Sequence, residues 1–197
     1  MFKELCLSAS NDKITSKAIK YYLKIMTANN QYKFRISEKE DIVKKLKKID
    51  IPLSPPIANL YTYFELPGKK EDAFASLRLI ESKDKNYIDM KTRDEFRKWK
   101  KYRSSIGKPE QIKSILERMG CRTAGVFHKT RRSFENEYIR IDLDEIEKIG
   151  TFLEIKFDDI NKKKVESLIL SIGIDPETCD NRSLMEIYLE KSAKLDN

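Results

Sequence analysis

The stretch VFHKTRRSFENEYIRIDLDEIEKIGTFLEIK, Val126–Lys156, decides the fold because it holds three short segments in which apolar and polar residues alternate. In the middle segment, Ile139–Asp144, the apolar residues fall on one face of a strand and the charged residues on the other. After Gly150 the alternation resumes, and Glu154 and Lys156 again share one face. The pattern predicts adjacent strands of a sheet that curls around a charged interior.

The chain has 197 residues, which suits one domain with a hydrophobic core of normal size. Its 40 basic and 32 acidic residues leave a formal net charge of +8. This charge favours an anionic partner, such as a phosphate compound or a nucleic acid. Lysine-rich, solvated surfaces give the same balance, so the direction in which the charges point decides whether a binding site exists.

The cysteines and the apolar segments exclude several classes of protein. Cys6, Cys121 and Cys179 are far apart and lack the spacing of metal ligands, so they predict reduced thiols without a zinc or disulfide framework. No apolar run approaches the roughly 18 residues that span a bilayer. The first residues also lack the apolar core of a signal peptide. The sequence therefore predicts a soluble, cytoplasmic protein without a membrane partner.

The remaining chain predicts an α+β fold. Alternation predicts further strands at 31–36, 60–66, 75–80, 87–91 and 96–106. Helical periodicity predicts helices at 37–49, 109–119, 161–172 and 183–195. Ser37 and Glu40 have the spacing of a capping box at the start of the first of these helices. Residues 1–28 carry an apolar helical stripe and are interpreted as an N-terminal extension, and residues 29–197 are interpreted as a single domain.

The order of these motifs resembles the CYTH family, the class IV adenylyl cyclases and thiamine triphosphatases that share the triphosphate tunnel fold. The resemblance covers residues 31–188 and rests on QYKFRISEKEDIVKKLKKI, YTYFELP, SLRL, VFHKTRRSF and SLMEIYL, and above all on IDLDEIEKIGTFLEI. In that last motif a Leu-Asp pair, a glycine and a Phe-x-Glu sequence follow one another at fixed spacing. The family implies an eight-stranded antiparallel β-barrel, open at both ends, with flanking helices.

The resemblance also implies a chemistry and the residues that carry it. A triphosphate has about three to four negative charges, so basic side chains from several strands are needed to neutralise it. Carboxylates would hold Mg²⁺ or Mn²⁺, which polarises phosphorus toward attack. The expected phosphate-binding residues are Lys33, Arg78, Lys91, Lys129, Arg131 and Arg140. The expected catalytic residues and metal ligands are Asp144, which matches the family's Leu-Asp aspartate, and Glu154, which matches the first glutamate of its late Glu-x-Glu pair.

The departures from the family pattern remove carboxylates. Asn29 and Gln31 occupy the positions of two glutamates in the first strand, and Lys156 occupies the position of the second late glutamate. Lys101 and Arg103 lie on a strand where the family has alternating glutamates. The metal-binding motifs are therefore degenerate, and a bound Mg²⁺ or Mn²⁺ becomes doubtful.

Alternation places eleven basic residues on the inward face against four acidic ones, a balance of roughly +7. The basic residues are Lys33, Arg35, Arg78, Lys91, Arg93, Lys101, Arg103, Lys129, Arg131, Arg140 and Lys156, and the acidic ones are Asp89, Asp142, Asp144 and Glu154. A divalent cation loses attraction in such a cavity, whereas an anion gains it.

Three functions remain open at this stage. The first is binding of a nucleoside triphosphate, thiamine triphosphate, polyphosphate or another phosphorylated anion, with metal-dependent catalysis reduced or lost. The second is an active metal-dependent triphosphatase or class IV adenylyl cyclase. The third is a nucleic-acid-binding module, for which the candidate base-stacking residues are Tyr32, Phe96, Trp99, Tyr102 and Phe134.

Overall fold

The structure is a computed structural model that describes residues 30–68, 75–93 and 99–195. Eight strands form the body of the fold: β1 (Asn30–Ile36), β2 (Ile57–Glu65), β3 (Ala75–Ser82), β4 (Asn86–Arg93), β5 (Trp99–Ile106), β6 (Arg122–Glu135), β7 (Ile139–Ile146) and β8 (Gly150–Phe157). Four α-helices accompany them: α1 (Lys39–Lys48), α2 (Pro109–Arg118), α3 (Lys162–Ser171) and α4 (Leu184–Leu195). The expected N-terminal extension, 1–28, lies outside the described residues. None of the helices that the structure describes is long and apolar enough to cross a membrane.

All eight strands belong to one antiparallel sheet with the order β1-β8-β7-β6-β2-β3-β4-β5. The sheet curls. Its curvature brings Lys91 on β4 close enough to Glu154 on β8 for an electrostatic interaction, although four strands lie between them in the sheet. The predicted eight-stranded antiparallel tunnel fold is confirmed. The sheet is open, however, since no pairing joins its edge strands β1 and β5 within the described residues.

Helices α1, α2 and α3 cover the convex face of the sheet. Leu46 of α1 and Ile169 of α3 are fully buried against apolar residues that β1, β7 and β8 present on that face. Leu116 of α2 is buried against the apolar residues of β2 and β3. Burial of each such side chain stabilises the fold by about 1.5–3 kcal/mol. The convex face therefore holds most of the hydrophobic core and leaves the concave face for other groups.

Helix α4 covers an apolar part of the concave face. Its Ile187 is only 2% exposed and contacts a cluster formed by Tyr61, Tyr63, Ile80, Phe127, Ile146, Ile149 and Phe152. The ring of Tyr188 lies 5.7 Å from that of Phe127. A Cβ atom on Gly125 would come within 3.1 Å of the Tyr188 ring, which explains why a glycine allows this close approach. The rest of the concave face is charged.

The turn between β7 and β8 requires a glycine. Gly150 has a φ of +128°, which residues with a side chain rarely adopt, and an added Cβ atom would lie 2.6 Å from the Arg35 guanidinium. The guanidinium of Arg35 donates a hydrogen bond of 3.0 Å to the carbonyl of Ile149. Gly150 thus lets β1 support the turn that sets the register of β8.

The predicted capping box at the start of α1 is wrong. The N-cap residue is Glu38, and no side chain donates or accepts a capping hydrogen bond there. The ammonium of Lys39 instead lies 2.8 Å from Glu145 on β7. A tertiary ion pair therefore takes the place of the local motif that the spacing predicted.

Candidate anion-binding site

The register of the strands brings the predicted site residues onto the concave face of the sheet. Glu154 on β8 lies directly between Lys33 on β1 and Asp142 on β7. Directly opposite residues in an antiparallel pair point to the same side. The concave face therefore includes Lys33, Arg78, Lys91, Lys129, Arg131, Arg140, Asp144 and Glu154. Their inward direction agrees with the alternation in the sequence, while their roles stay predictions.

The first part of this face, on β6, β7 and β8, is called the carboxylate wall. It carries equal numbers of cations and carboxylates. The four cations are Lys129, Arg131, Arg140 and Lys156, and the four carboxylates are Glu135, Asp142, Asp144 and Glu154. Asp144 has no exposed surface, and the ammonium of Lys129 lies 2.6 Å from its Oδ2 atom. The Nε and Nη2 atoms of Arg131 donate to the two Asp144 oxygens at 2.5 Å. Two of the expected phosphate-binding residues are thus bound to an expected metal ligand.

Asp142 and Glu154 share two cations of the carboxylate wall, Arg131 and Lys156. The Lys156 ammonium lies 2.8 Å from Asp142 and 3.3 Å from Glu154. The Nη1 atom of Arg131 lies 3.0 Å from Asp142, and its Nη2 atom lies 3.7 Å from Glu154. Arg140 spans the edge of the wall, at 3.1 Å from Asp142. Arg131 therefore contacts three carboxylates, and Lys156 contacts two.

These contacts keep the carboxylates ionised. Burial alone would raise the pKa of Glu154, but the charges of Lys156, Lys129 and Arg131 outweigh it and lower this pKa to about 2. Burial likewise opposes ionisation of Asp142, and Lys156, Arg131 and Arg140 lower its pKa well below the usual range. A carboxylate with such a low pKa is a weak proton acceptor at neutral pH.

The second part of the face, on β3, β4 and β5, is called the cationic wall. It carries Arg78, Lys91, Lys101 and Arg103, with Asp89 as its one carboxylate among the described side chains. Arg78 donates to both Asp89 oxygens, at 2.7 Å and 3.1 Å, and to the Tyr63 hydroxyl at 2.8 Å. Arg103 lies 2.7 Å and Lys101 lies 3.5 Å from the same carboxylate. One buried carboxylate therefore forms ion pairs with three cations.

Lys91 has no carboxylate within ion-pairing distance in the part of the chain that the structure describes. Burial and the neighbouring Arg78 lower the pKa of Lys91 to about 8. Burial and Arg103 lower the pKa of Lys101 to the same value. For both lysines burial is the larger cause of the lowered pKa, and the positive charge of a neighbouring arginine adds to it. An anion placed there would relieve the repulsion between these positive charges.

The two walls face each other across the curled sheet. Lys91 interacts electrostatically with Glu154 and Lys156 of the carboxylate wall. Strand β2 joins the walls with uncharged residues, of which Tyr61 and Tyr63 lie under the Arg78 guanidinium at 5.5 Å from it. Charge is therefore distributed unevenly: balanced on one side and in excess on the other.

Lys33 contacts the C-terminal segment of the chain. Lys33 is only 3% exposed, and its ammonium donates a hydrogen bond to the carbonyl of Arg182. Its own carbonyl accepts a hydrogen bond of 2.7 Å from the backbone of Asp180. Burial lowers the pKa of Lys33, and the charge of Glu154 opposes that effect. Lys33 lies beside the site, and its ammonium already has a partner there.

The structure also places Lys101, Arg103 and Tyr63 on the concave face, beside the residues expected to bind an anion. The alternation of β5 had placed Lys101 and Arg103 on the inward face, but the register of that strand was uncertain from the sequence. Tyr63 lies in an aromatic segment that predicts a buried strand equally well. Its hydroxyl orients Arg78, a contact that only the pairing of β2 with β3 reveals.

The donors that would hold Mg²⁺ or Mn²⁺ do not fit that role as they are arranged. The described residues contain no group of three or more acidic, histidine or cysteine side chains placed to hold a metal ion. Asp144 and Glu154, the expected ligands, are each bound by protein cations. A divalent ion would have to displace Arg131 or Lys156 to reach them.

Comparison with known proteins shows the same fold. A family model described as CYTH domain matches residues 31–183. A Methanocaldococcus jannaschii protein provisionally named an adenylate cyclase is 22% identical over 169 residues, which cover 80% of this chain and 96% of that protein.

Solved structures with related sheets come from several organisms. The PH1012 protein of Pyrococcus horikoshii superposes with a TM-score of 0.69 at 23% identity and covers 81% of this chain and 98% of that one. A Hippeastrum protein provisionally named an adenylyl cyclase, described as having a dominant triphosphatase activity, gives a TM-score of 0.59 at 17% identity, with 81% and 94% of the two chains covered.

Proposed function

The chain belongs to the CYTH domain family, and from this premise we propose that it binds a triphosphate or another phosphorylated anion on the cationic wall. Members of this family bind triphosphate substrates and are typically metal-dependent. In this chain the anion is bound, and its metal-dependent turnover is reduced or lost.

One observation carries the proposal: the excess of cations over carboxylates on β3, β4 and β5. Lys91, Lys101 and Arg103 lie on the concave face, and Asp89 is the one carboxylate that these three strands place on that face among the described side chains. A triphosphate has about three to four negative charges, and charged donors such as the lysine ammonium groups form strong hydrogen bonds with phosphate oxygens. The cationic wall therefore supplies the charge and the donors that such a ligand needs.

The state of the carboxylates supports loss of turnover. Glu154 has a pKa of about 2 and contacts Lys156, so it is poorly suited to accept a proton at neutral pH. Asp144 is enclosed by Lys129 and Arg131. In this arrangement the two residues expected to catalyse the reaction hold the basic side chains in position.

An active triphosphatase or cyclase is the second candidate. The Hippeastrum relative with a dominant triphosphatase activity favours it. For this chain to be active, Asp144 and Glu154 would have to release their protein cations to the substrate and bind the metal instead. The hypothesis predicts turnover that requires both a divalent metal and Glu154.

The nucleic-acid hypothesis is weaker, because two of its stacking candidates pack in the core. The ring of Tyr32 lies 5.0 Å from that of Phe157, and its hydroxyl donates to Glu166. Phe134 contacts the core under α1 and α3. Tyr102 is 55% exposed, but a single exposed ring makes no stacking platform. Phe96 lies outside the described residues, as does the side chain of Trp99.

Calorimetric titration tests the proposal. Tripolyphosphate, ATP and thiamine triphosphate are titrated into the protein, first with EDTA and then with Mg²⁺ or Mn²⁺. We expect binding of at least one of them, with an affinity that Lys91→Ala lowers and Lys44→Ala leaves unchanged. Lys44 is the matched control because it is exposed on α1, on the convex side. Absence of binding under every condition would contradict the proposal.

An assay for released phosphate, pyrophosphate or cyclic AMP separates binding from catalysis. We expect ligand binding without product under any divalent metal. Product that disappears in Glu154→Ala would establish the second candidate in place of the first.

A further inference from the structure

Two carboxylates of the carboxylate wall lie directly opposite each other. Asp142 on β7 pairs with Glu154 on β8, and both are buried. Like charges at directly opposite positions repel unless a cation lies between them. The structure must therefore supply positive charge at this point.

Lys156 supplies that charge from the same strand as Glu154. Its ammonium bridges the two carboxylates at 2.8 Å from Asp142 and 3.3 Å from Glu154, while a quarter of its side chain, 26%, stays exposed. An ammonium has three N–H donors. Asp142 accepts a hydrogen bond from one of them, Glu154 is in ion-pair contact with the ammonium, and no third partner of Lys156 is present among the described residues.

We propose that the Lys156 ammonium is a built-in cation that takes the place of a divalent metal between Asp142, Glu154 and the bound anion. This inference rests on the proposed function and adds that anion binding needs no metal. An N–H of Lys156 that neither carboxylate occupies donates to a phosphate oxygen, so the ammonium joins carboxylates to phosphate as a metal ion would.

The surroundings of Lys156 also oppose a real metal ion. Mg²⁺ demands an octahedral set of oxygen ligands. An Asp142 oxygen already accepts a hydrogen bond from Lys156, and a Glu154 oxygen lies in ion-pair contact with the same ammonium at 3.3 Å. Arg131 approaches the same two carboxylates at 3.0 Å and 3.7 Å. Lys91 adds a further positive charge from the facing wall. Replacing Lys156 with a carboxylate would reverse this situation by adding a third acidic ligand.

The first arm of the test uses the unmodified protein. Calorimetry of tripolyphosphate is compared in EDTA and in Mg²⁺, after correction for the binding of Mg²⁺ to tripolyphosphate itself. We expect an affinity that does not depend on added metal. Binding that requires Mg²⁺ would overturn this inference and leave the proposed function standing, whereas absence of binding in both conditions would overturn the proposed function and, with it, the inference.

The second arm measures metal binding directly, with Mn²⁺ alone and no phosphate ligand. Electron paramagnetic resonance follows free Mn²⁺ in the presence of the wild type, Lys156→Glu and the control Lys44→Glu. We expect Lys156→Glu to bind Mn²⁺ more tightly than the wild type by about tenfold or more, because it adds a carboxylate ligand, and the control to behave like the wild type. Equal Mn²⁺ binding by all three proteins would overturn the inference.

A neutral variant keeps the test decisive if Lys156→Glu does not fold. Lys156→Gln removes the ammonium without adding a charge, and circular dichroism checks that it folds. We expect its tripolyphosphate affinity in EDTA to fall by about tenfold. An unchanged affinity in folded Lys156→Gln would show that the ammonium does not contact the anion.

Discussion

The two charged walls of the concave face use the same residue types for different purposes. On the carboxylate wall, every cation lies near a carboxylate, and Asp144 alone holds Lys129 and Arg131. On the cationic wall, Asp89 is the one described carboxylate, and Lys91 has no such partner among the described residues. We propose that charge balance makes the first wall a structural element and that charge excess makes the second wall a binding surface.

The largest effect that we expect is a loss of folding stability when the carboxylate wall loses one of its carboxylates. Asp144→Asn leaves the buried Lys129, which is 4% exposed, and part of Arg131 without their counter-charge. Removing one partner of a buried ion pair destabilises a protein by about 3–5 kcal/mol. Urea denaturation should show this loss, and Asp84→Asn, an exposed position in the turn between β3 and β4, should show almost none. A loss below about 1 kcal/mol would mean that the wall is not structural.

The next effect has the opposite character, because it weakens binding and spares stability. Lys91→Ala removes a half-buried cation that has no carboxylate within ion-pairing distance among the described residues. A hydrogen bond to a charged group contributes about 1.5–3 kcal/mol, so the affinity for tripolyphosphate should fall by about 10- to 100-fold. Thermal unfolding without ligand should show equal or higher stability. If Lys91→Ala instead unfolds the protein while Lys44→Ala does not, the division between the walls is wrong.

The pH dependence should separate binding from stability. Lys91 and Lys101 have pKa values of about 8, so both are charged at pH 7 and neutral at pH 9. Tripolyphosphate affinity should fall over this range, by about tenfold for each lysine that must be charged. Calorimetry measures the affinity of the wild type and of Lys91→Ala at the same pH values. The ionisation of the ligand affects both proteins equally, so it cancels in the comparison. We expect a flatter profile for the variant, and parallel profiles would contradict the assignment.

Stability without ligand should change in the other direction over the same range. Burial lowers the folded-state pKa of Lys91 to about 8, below its ordinary value, so the unfolded chain binds more protons above pH 8. Stability therefore rises with pH through this window. Urea denaturation at pH 7, 8 and 9 checks this sign, and Lys91→Ala should reduce the rise.

The smallest effect concerns the edge of the cationic wall. Arg103 is 39% exposed and shares Asp89 with Arg78 and Lys101. Exposed ion pairs contribute about 0–1 kcal/mol, so Arg103→Gln should change the unfolding free energy and the binding free energy by less than about 1 kcal/mol each. A larger loss of affinity would place the anion at this edge and not beside Lys91.

The sequence predicted the strands and the charged face because both depend on local alternation. The segment from Val126 to Lys156 folds into three paired strands, whose inward and outward faces are those that its period-two pattern indicates. The direction of Glu154 and Lys156 follows from the same pattern. Such features need no knowledge of distant contacts.

The division between the walls could not be predicted, because it depends on pairing between distant strands. A count of the inward charges gives a large positive excess but does not show that Asp142 and Asp144 neutralise their own neighbours. The contact of Lys39 with Glu145, a residue 106 positions away, could not be predicted for the same reason. The open edges of the sheet also follow from pairing that alternation does not encode.

The most direct test of the central claim is the titration of the Lys91 side chain, followed by NMR spectroscopy on protein with isotope-labelled lysine. Lys91→Arg assigns its signal, and Lys44 serves as the exposed reference. We predict a pKa of about 8 for Lys91 without ligand and a clear rise when tripolyphosphate binds, because a nearby anion favours the charged form. A Lys91 pKa that saturating tripolyphosphate leaves unchanged would contradict the claim that the cationic wall is the binding surface.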